Sequence, residues 1–307
     1  RISSNNGVIM HTIRVWLKAS RLQSQSYIFL PVLVGQAFFV FQGSPLNWPV
    51  FFIMVLFGLF NQLYIIFGND YADMETDCQN KTFNIFSGGS RVLADKDLMP
   101  AQLKTAAIIM ALLCLFCGFF LTVFFHRLFA MPIVAIALVF LWLYSYKPAK
   151  LSYRGGGEFL QVLGIGFVLP FFGYYAQAGD ISGLPWTLLL AMFPTQLACA
   201  MATSLPDEPS DRLSGKHTIT VLLGEKTTKK LIIILNFISI VFFAFAGRFL
   251  IGRPAVYIIL LLPFLAEIAQ FFFMDSKPGS IRLTVFNFFS VLITLSLMGG
   301  LAIFLLC

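Results

Sequence analysis

The chain has 307 residues, of which 58% are hydrophobic and only 11% are charged, and its mean hydropathy is +0.84. This composition excludes an ordinary soluble domain, and its repeated apolar stretches of about 20 residues predict an α-helical membrane protein. The net charge of +7 would suit a nucleic-acid partner, but membrane topology explains it better, so we expect no nucleic acid.

The polar start of the chain precedes its apolar part. Residues 1–13 are predicted to be a disordered or tag-like N-terminus, and residues 14–307 to be a single transmembrane domain. The stretch 14–25, RVWLKASRLQSQ, is basic and amphipathic. Such a segment typically lies on the membrane surface.

Nine apolar spans follow this segment. Their hydrophobic runs are continuous and do not alternate, which excludes a transmembrane β-barrel. We therefore predict an all-α membrane protein with nine transmembrane helices around a central cavity. The predicted spans are 26–43, 49–69, 102–125, 128–145, 157–178, 185–205, 229–247, 254–274 and 283–306.

The basic residues indicate the orientation of these spans. Eighteen of the 21 Lys and Arg residues lie in connections on the N-terminal side, and only Arg127, Arg248 and Arg253 lie on the other side. Cytoplasmic connections of membrane proteins carry such an excess, so the N-terminus is predicted to be cytoplasmic. The two longest connections, 78–101 and 206–228, lie on the same side.

The first acidic motif is the stretch NDYADMETD, residues 69–77, at the end of the second span. Read as a helix at about 100° per residue, it places Asn69, Asp73 and Asp77 within about 80° of one another, with Asp70 at about 100°. An Asp at the centre of a membrane helix costs roughly 2.5 to 3.5 kcal/mol, so three crowded carboxylates require a cationic partner.

The second acidic motif, Asp207 and Asp211, follows the sixth span in the stretch SLPDEPSDRLSGKHT. Its residues have the i, i+4 spacing of Asp73 and Asp77, and each lies 134 residues after its counterpart. This offset indicates two related halves. Both motifs end even-numbered spans, so both are expected on the cytoplasmic side, facing each other across one cavity mouth.

Basic residues are expected around both motifs, namely Arg21, Arg91, Lys147, Arg212 and Lys216. Carboxylates from two helices suit a magnesium-bound diphosphate, because Mg²⁺ is held by one or two carboxylates together with phosphate oxygens and water. Lys and Arg bind the remaining phosphate charge. Membrane topology alone would also place basic residues here, so for each of them both interpretations stay open.

This constellation predicts a reaction in which a diphosphate leaves. A metal would stabilise the charge that develops on the diphosphate as the carbon–oxygen bond breaks. A cavity lined by Phe and Leu would hold an isoprenoid chain, and its aromatic faces would stabilise an allylic cation. A ring carbon of an electron-rich aromatic acceptor then attacks and loses a proton to a base that the sequence does not identify.

Polar side chains within the spans are candidates for the acceptor pocket. Asn61 and Gln62 lie about two turns before the first acidic motif, and Gln196 shares a helix face with Asp207. Because hydrocarbon cannot satisfy polar groups, such residues either line a pocket or bond neighbouring helices. Both interpretations stay open, as does the role of Glu267 in the eighth span.

The two acidic motifs and the nine spans resemble the UbiA superfamily of intramembrane aromatic prenyltransferases, over essentially all of the chain beyond residue 14. The family's first motif, N-x-x-x-D-x-x-x-D, is matched by Asn69, Asp73 and Asp77, and its second by Asp207 and Asp211. By this resemblance, these five residues are expected to bind Mg²⁺ and the prenyl diphosphate.

Catalytic and binding residues are expected within and around these motifs. Asp70, Asp73 and Asp207 are the expected catalytic residues. Tyr144, in the stretch YSYKP, falls where the family places a Tyr and a basic residue at the end of the fourth span. The residues expected to bind the diphosphate or the acceptor are Arg21, Arg91, Lys147, Lys216, Tyr144, Asn61 and Gln196.

Within the superfamily, three stretches are similar to the branch that prenylates 1,4-dihydroxy-2-naphthoate for menaquinone. They are SGGSRVL (87–93), YRGGGE (153–158) and GKHT (215–218). Asp77 departs from that branch, which often has Gly there, and is similar to the 4-hydroxybenzoate branch of ubiquinone biosynthesis. The alternatives are therefore 4-hydroxybenzoate or another acceptor on the same fold.

The resemblance implies an integral protein of a bacterial inner (plasma) membrane, with its active site on the cytoplasmic side. Its expected partners are a polyprenyl diphosphate, an aromatic acceptor and the lipid bilayer. A cation-coupled transporter is the alternative from another class, in which acidic residues bind ions near the membrane midplane on broken helices. Acidic motifs at span ends, beside long basic loops, favour the enzyme.

Overall fold

The computed structural model describes residues 2–246 and 256–306, and these residues form helices and turns without a β-strand. The all-α prediction is confirmed for this part of the chain. The helices are α1 (Ile2–Ala19), α2 (Ser26–Phe41), α3 (Trp48–Ala72), α4 (Met74–Gln79), α5 (Pro100–Phe124), α6 (Ala130–Ser145), α7 (Gly157–Leu163), α8 (Leu169–Ala178), α9 (Trp186–Ser204), α10 (Glu208–Leu213), α11 (Ile219–Leu223), α12 (Glu225–Ala246), α13 (Val256–Phe271) and α14 (Ile281–Leu306).

Capping residues account for several helix ends. Before α3, the Asn47 side chain accepts a hydrogen bond from the Val50 amide at 3.2 Å, and a proline occupies the first turn. Helix α5 likewise has a proline, Pro100, in its first turn. Gly179 ends α8 with a φ of +82°, the left-handed conformation common at helix C-termini.

A helix lies at each of the nine predicted spans. Within the described ranges, six helical segments are long and apolar enough to cross a membrane. A seventh is formed if the segment Met10–Ser24 and α2, bent by 49°, count as one. The segments Ala130–Ser145 and Tyr257–Phe271 are shorter apolar helices. The helices at these positions are confirmed, whereas the number of crossings stays a prediction.

Some of the sequence predictions concern residues that the structure does not describe. Arg1, Arg248 and Arg253, which were used to predict orientation, lie outside the described residues. So do the predicted end of the seventh span at residue 247 and the start of the eighth at residue 254. The cytoplasmic position of the N-terminus stays a prediction.

The spanning helices pack in chain order. In sequence, α2, α3, α5, α6, α7, α9, α12, α13 and α14 each contact the next, and α14 contacts α2. This order closes a ring of helices. Within this ring, α2 and α8 approach each other closely at Gly35. A Cβ on Gly35 would lie only 2.0 Å from the Pro170 carbonyl oxygen, so a glycine is required there.

The end of the N-terminal helix packs against α3. Residues 2–13, predicted to be disordered or tag-like, belong to α1, and the division of the chain at residue 13 stays a prediction. Trp16 packs edge-to-face on Phe67 of α3, with 5.8 Å between ring centroids. Ala19 is fully buried in the same apolar cluster. The end of α1 is thereby held next to the first acidic motif.

Candidate active site

The first acidic motif lies at a break in its helix. Helix α3 ends at Ala72, Asp73 adopts a turn conformation, and α4 begins at Met74. The predicted uninterrupted helix is therefore broken at Asp73. The amides of Asp73 and Asp77 still donate to the carbonyls of Asn69 and Asp73, each at 2.9 Å, so the helical spacing is retained.

The second acidic motif is built in the same way. Helix α9 is followed by a short 3-10 turn, Leu205–Asp207, and then by the six-residue helix α10, which packs against α4. The two motifs thereby meet at a polar cavity of about 130 Å³. Of the predicted site residues, those that line it are Arg21, Asn69, Asp73, Asp77, Tyr144, Asp207, Asp211 and Lys216.

Lys216 joins the two motifs. Its Nζ lies 2.9 Å from Oδ2 of Asp73 and 3.6 Å from Oδ1 of Asp211, and all three side chains are nearly buried. Burial alone would lower the pKa of Lys216, but the Asp73 and Asp211 carboxylates raise it well above its usual value. Lys216 is therefore a fixed positive charge within the polar cavity.

Asp207 is held by the long loop that follows α4. Its Oδ1 accepts a hydrogen bond from the Asn80 side chain at 2.6 Å, and its Oδ2 accepts one from the Gly88 amide at 3.2 Å. The Thr82 hydroxyl donates to the Pro206 carbonyl at 2.5 Å. The first motif's loop therefore fixes the orientation of the second motif.

Asp70 and Asp77 lie on either side of Gly89. The Ser90 amide donates to Oδ2 of Asp70 at 2.9 Å, whereas Oδ1 of Asp70 is buried and has no hydrogen-bond partner among the described residues. A Cβ on Gly89 would lie 3.0 Å from that Oδ1 and 2.3 Å from Oδ2 of Asp77. Only a glycine fits between these carboxylates.

The protonation of Asp77 is shifted by its surroundings. Burial, and then the charges of Asp70, Asp73 and Asp207, raises the pKa of Asp77 to about 8. Crowded buried carboxylates resist ionisation together. A bound cation would relieve this repulsion.

The donor chemistry of the polar cavity fits a magnesium ion. Among the described residues, no three His, Cys, Asp or Glu side chains are already grouped as a metal site. Mg²⁺ does not require such a group, because it is usually bound by one or two carboxylates, substrate phosphates and water. The cavity lining of carboxylate, amide and hydroxyl oxygens matches this preference, and the orphaned Asp70 oxygen lies next to Gly89 of that lining.

A second, mostly apolar cavity of about 260 Å³ adjoins the first. Arg21, Asn69 and Tyr144 line both cavities, so the two lie side by side. Asn61 and Asp70 line the apolar cavity, and Oδ1 of Asn61 is buried without a hydrogen-bond partner in the described part of the chain. The other residues lining it include Ile65, Ile66, Ala137, Phe140, Leu141, Leu160, Ile165, Val168, Leu169 and Val291.

Three of the predicted binding residues lie outside these two cavities. The Arg91 guanidinium donates to the Asp77 carbonyl at 2.5 Å and faces a separate surface groove. Lys147 is exposed at the end of α6. The Gln196 amide is buried and contacts the Met298 sulfur at 3.0 Å. Arg212, which was expected near the acidic motifs but was not among the predicted binding residues, pairs with Glu208.

The structure adds residues that sequence reasoning missed. Asn80 lies three residues after Asp77, so the helical spacing of the first motif could have revealed it. Glu158 lines the polar cavity and accepts a hydrogen bond from the Ile219 amide at 2.7 Å. Tyr153 reaches Asp73 from another connection. No local spacing predicts these two contacts, because they join segments that are distant in sequence.

A scan against known protein families matches residues 28–298 to the UbiA prenyltransferase family. This chain belongs to that family. It is therefore a membrane-embedded prenyltransferase, and the resemblance seen in the acidic motifs is confirmed.

Relatives of this UbiA-family chain include enzymes named 1,4-dihydroxy-2-naphthoate octaprenyltransferase. The Escherichia coli protein is 26% identical over 281 residues, covering 88% of each chain. The Mycobacterium leprae protein is 22% identical over 222 residues, covering 72% of this chain and 74% of the relative. These relatives support the predicted similarity to the menaquinone branch of the superfamily.

Solved UbiA homologues share the fold. An apo homologue from Aeropyrum pernix has a TM-score of 0.68 at 17% identity, covering 91% of this chain and 97% of its own. A homologue from Archaeoglobus fulgidus, bound to GPP and Mg²⁺, has a TM-score of 0.67 at 16% identity, covering 95% and 99%. At these identities the comparison establishes the fold.

Proposed function

We propose that this enzyme transfers a polyprenyl group from a polyprenyl diphosphate to 1,4-dihydroxy-2-naphthoate, and that the transfer depends on Mg²⁺. One observation carries the proposal: two acidic motifs, 134 residues apart, meet at a polar cavity that adjoins an apolar one and shares lining residues with it. A diphosphate with a hydrocarbon tail has the same two-part chemistry. The naphthoate relatives and the GPP- and Mg²⁺-bound homologue support this assignment.

The polar cavity would bind the diphosphate. Asn69, Asp73, Asp77, Asp207 and Asp211 would hold Mg²⁺, which stabilises charge on a leaving diphosphate when it is bound. The carboxylates of these residues would also repel a diphosphate that carries no bound cation, because both groups are negatively charged. Metal and diphosphate are therefore expected to bind together.

Basic residues in the polar cavity would neutralise the remaining charge. Lys216 lies between Asp73 and Asp211, where it can donate to phosphate oxygens and to the carboxylates. Arg21 lines both cavities, so its guanidinium can reach the junction of the diphosphate with the prenyl chain. Asp70, Asp73 and Asp207 keep the catalytic roles proposed from the sequence.

The apolar cavity would hold the first part of the prenyl chain and exclude water from the reacting carbon. Tyr144 and Phe140 line it, and their aromatic faces can stabilise the allylic cation as the carbon–oxygen bond breaks. The unpartnered Asn61 oxygen is available to accept a hydrogen bond from an acceptor hydroxyl group. A ring carbon held there would attack the cation.

The remaining predicted residues have weaker support. Arg91 would act on the site through the Asp77 backbone, since its guanidinium bonds that carbonyl. Neither Lys147 nor Gln196 is among the described residues that line the two cavities. Their proposed roles as binding residues therefore rest on the sequence alone.

We also propose the membrane arrangement that the sequence predicts. In it, the chain crosses a bacterial inner membrane nine times, with the N-terminus and the polar cavity on the cytoplasmic side. A reporter fused after residue 20, compared with one inserted after residue 43, tests this topology. The first should be cytoplasmic and the second external.

The second candidate acceptor is 4-hydroxybenzoate. It is favoured by Asp77, whose carboxylate lines the polar cavity and which is often Gly in the naphthoate branch. The test offers dihydroxynaphthoate and 4-hydroxybenzoate in parallel to purified protein with a long-chain prenyl diphosphate and Mg²⁺. Prenylation of dihydroxynaphthoate alone supports the proposal, whereas prenylation of 4-hydroxybenzoate alone contradicts it.

A further inference from the structure

Tyr153 belongs to neither acidic motif, yet its side chain touches the first one. It ends the 3-10 turn Leu151–Tyr153, which lies between α6 and α7. Its hydroxyl donates to Oδ1 of Asp73 at 3.2 Å and lies 2.9 Å from Oγ1 of Thr76. A phenol has one proton, so Thr76 is the donor in the second hydrogen bond. The hydrogen bonds therefore run from Thr76 through Tyr153 to Asp73.

The same residue contacts the loop that follows the second acidic motif. The carbonyl of Tyr153 accepts a hydrogen bond from the His217 amide at 3.3 Å. The Nζ of Lys216 lies 5.0 Å from the centroid of the Tyr153 ring, and the Nζ of Lys150 lies 3.5 Å from it. Both ammonium groups are within the range of a cation–π interaction. Tyr153 thus contacts both the first acidic motif and the loop that follows the second one.

These contacts restrict the carboxylate of Asp73. Tyr153 holds its Oδ1, and Lys216 holds its Oδ2 at 2.9 Å. An ionised carboxylate accepts at about four lone-pair positions, so about two remain available for a cation. Both hydrogen bonds come from segments outside α3, and together they fix the rotation of the carboxylate about its Cβ–Cγ bond.

We propose that Tyr153 is a positioning residue that holds the Asp73 carboxylate in the orientation required to bind the divalent cation that accompanies the prenyl diphosphate. The inference rests on the proposed function, in which Asp73 is a ligand of Mg²⁺. The phenol acts through Asp73 and not on the substrate. Removal of such a partner of a metal ligand typically costs 10- to 100-fold in metal affinity.

The test replaces the hydroxyl group and keeps the ring. Tyr153→Phe retains the face beneath Lys216 but cannot bond Asp73. Tyr146→Phe is a matched control, because the Tyr146 hydroxyl donates to the Gly68 carbonyl at 2.7 Å and bonds no acidic side chain. For each purified protein, calorimetry measures the binding of geranyl diphosphate as Mg²⁺ is titrated, and a thermal melt measures stability.

We expect the Mg²⁺ concentration for half-maximal diphosphate binding to rise about 10-fold in Tyr153→Phe. At saturating Mg²⁺ the dissociation constant of geranyl diphosphate should equal that of the wild type, and the melting temperature should be unchanged. Tyr146→Phe should keep the wild-type Mg²⁺ dependence. A purely structural role of Tyr153 would lower stability without changing the Mg²⁺ requirement.

The inference is overturned if Tyr153→Phe and Tyr146→Phe have the same Mg²⁺ dependence. If Tyr153→Phe does not fold, Thr76→Val takes its place, since it removes the donor to the phenol. It should shift the Mg²⁺ dependence in the same direction, and an unchanged dependence would overturn the inference. If the wild type binds geranyl diphosphate equally well with and without Mg²⁺, the proposed function itself is contradicted. This result distinguishes a failure of the proposed function from a failure of the inference about Tyr153.

Discussion

Replacement of Gly89 tests the geometry of the acidic site. Its φ of +65° lies in the left-handed region, and a Cβ there would lie 2.3 Å from Oδ2 of Asp77 and 3.0 Å from Oδ1 of Asp70. Ordinary van der Waals contacts begin at 3.4 Å, so Gly89→Ala would displace the Asp77 carboxylate by about 1 Å. The displacement acts on two candidate site residues simultaneously.

The substitution has two separable effects. An alanine in the left-handed conformation costs roughly 1–2 kcal/mol, which lowers the free energy of unfolding. Misplacement of a reacting group by about 1 Å can lower the rate about 100-fold. That factor corresponds to about 2.7 kcal/mol of transition-state stabilisation. Backbone strain should lower only the stability of Gly89→Ala, whereas the displaced carboxylate should also lower its reaction rate.

Gly43→Ala is the matched control. Gly43 also has a left-handed φ, +85°, but a Cβ there would meet no atom of the described residues within 4 Å. Both variants are assayed for kcat/KM at saturating Mg²⁺ and for melting temperature in detergent. We expect similar losses of stability, with the loss of about 100-fold in kcat/KM confined to Gly89→Ala. Equal kcat/KM for the two variants would refute the reasoning.

Three further predictions follow from the polar cavity. Alanine at Asp73 or Asp207 should abolish prenyl transfer while the melting temperature shows a folded protein, and normal turnover in either would remove these residues from the site. Lys216→Ala should lose most activity, whereas Lys147→Ala, at an exposed position, should retain it; the reverse ranking in the same assay would contradict our placement of the diphosphate. Because burial raises the pKa of Asp77 from 3.8 to about 8, the charged form is disfavoured in the folded protein. Without Mg²⁺, the wild type should therefore lose stability relative to Asp77→Asn as the pH rises from about 4 to about 8, with a constant difference above that range; parallel melting curves across the range would show that Asp77 is not buried among charges.

The sequence predicted the helices well because their signals are local. Long apolar runs locate membrane helices, and the i, i+4 spacing of each acidic motif survives in the structure even where α3 breaks at Asp73. The matching spacing of Asp207 and Asp211 also predicted correctly that the two motifs share one cavity. These inferences required only periodicity and charge.

The sequence could not resolve which basic residue serves the site. Lys147 and Lys216 were equally plausible, because both follow spans on the same side. The loop after α10 brings Lys216 to Asp73, whereas Lys147 stays exposed, and this difference depends on loop conformation. Tyr153 was missed for the same reason, since its contact with Asp73 joins two connections that are 80 residues apart.

The measurement that tests the central claim most directly is the binding of a prenyl diphosphate to the purified protein, with and without Mg²⁺. It includes the wild type, Asp73→Asn and Asp207→Asn, one variant from each acidic motif. The account predicts tight binding to the wild type in Mg²⁺, its loss in chelator, and weak binding to both variants. Binding that is equal in all three proteins, or indifferent to chelator, would contradict a shared magnesium–diphosphate site.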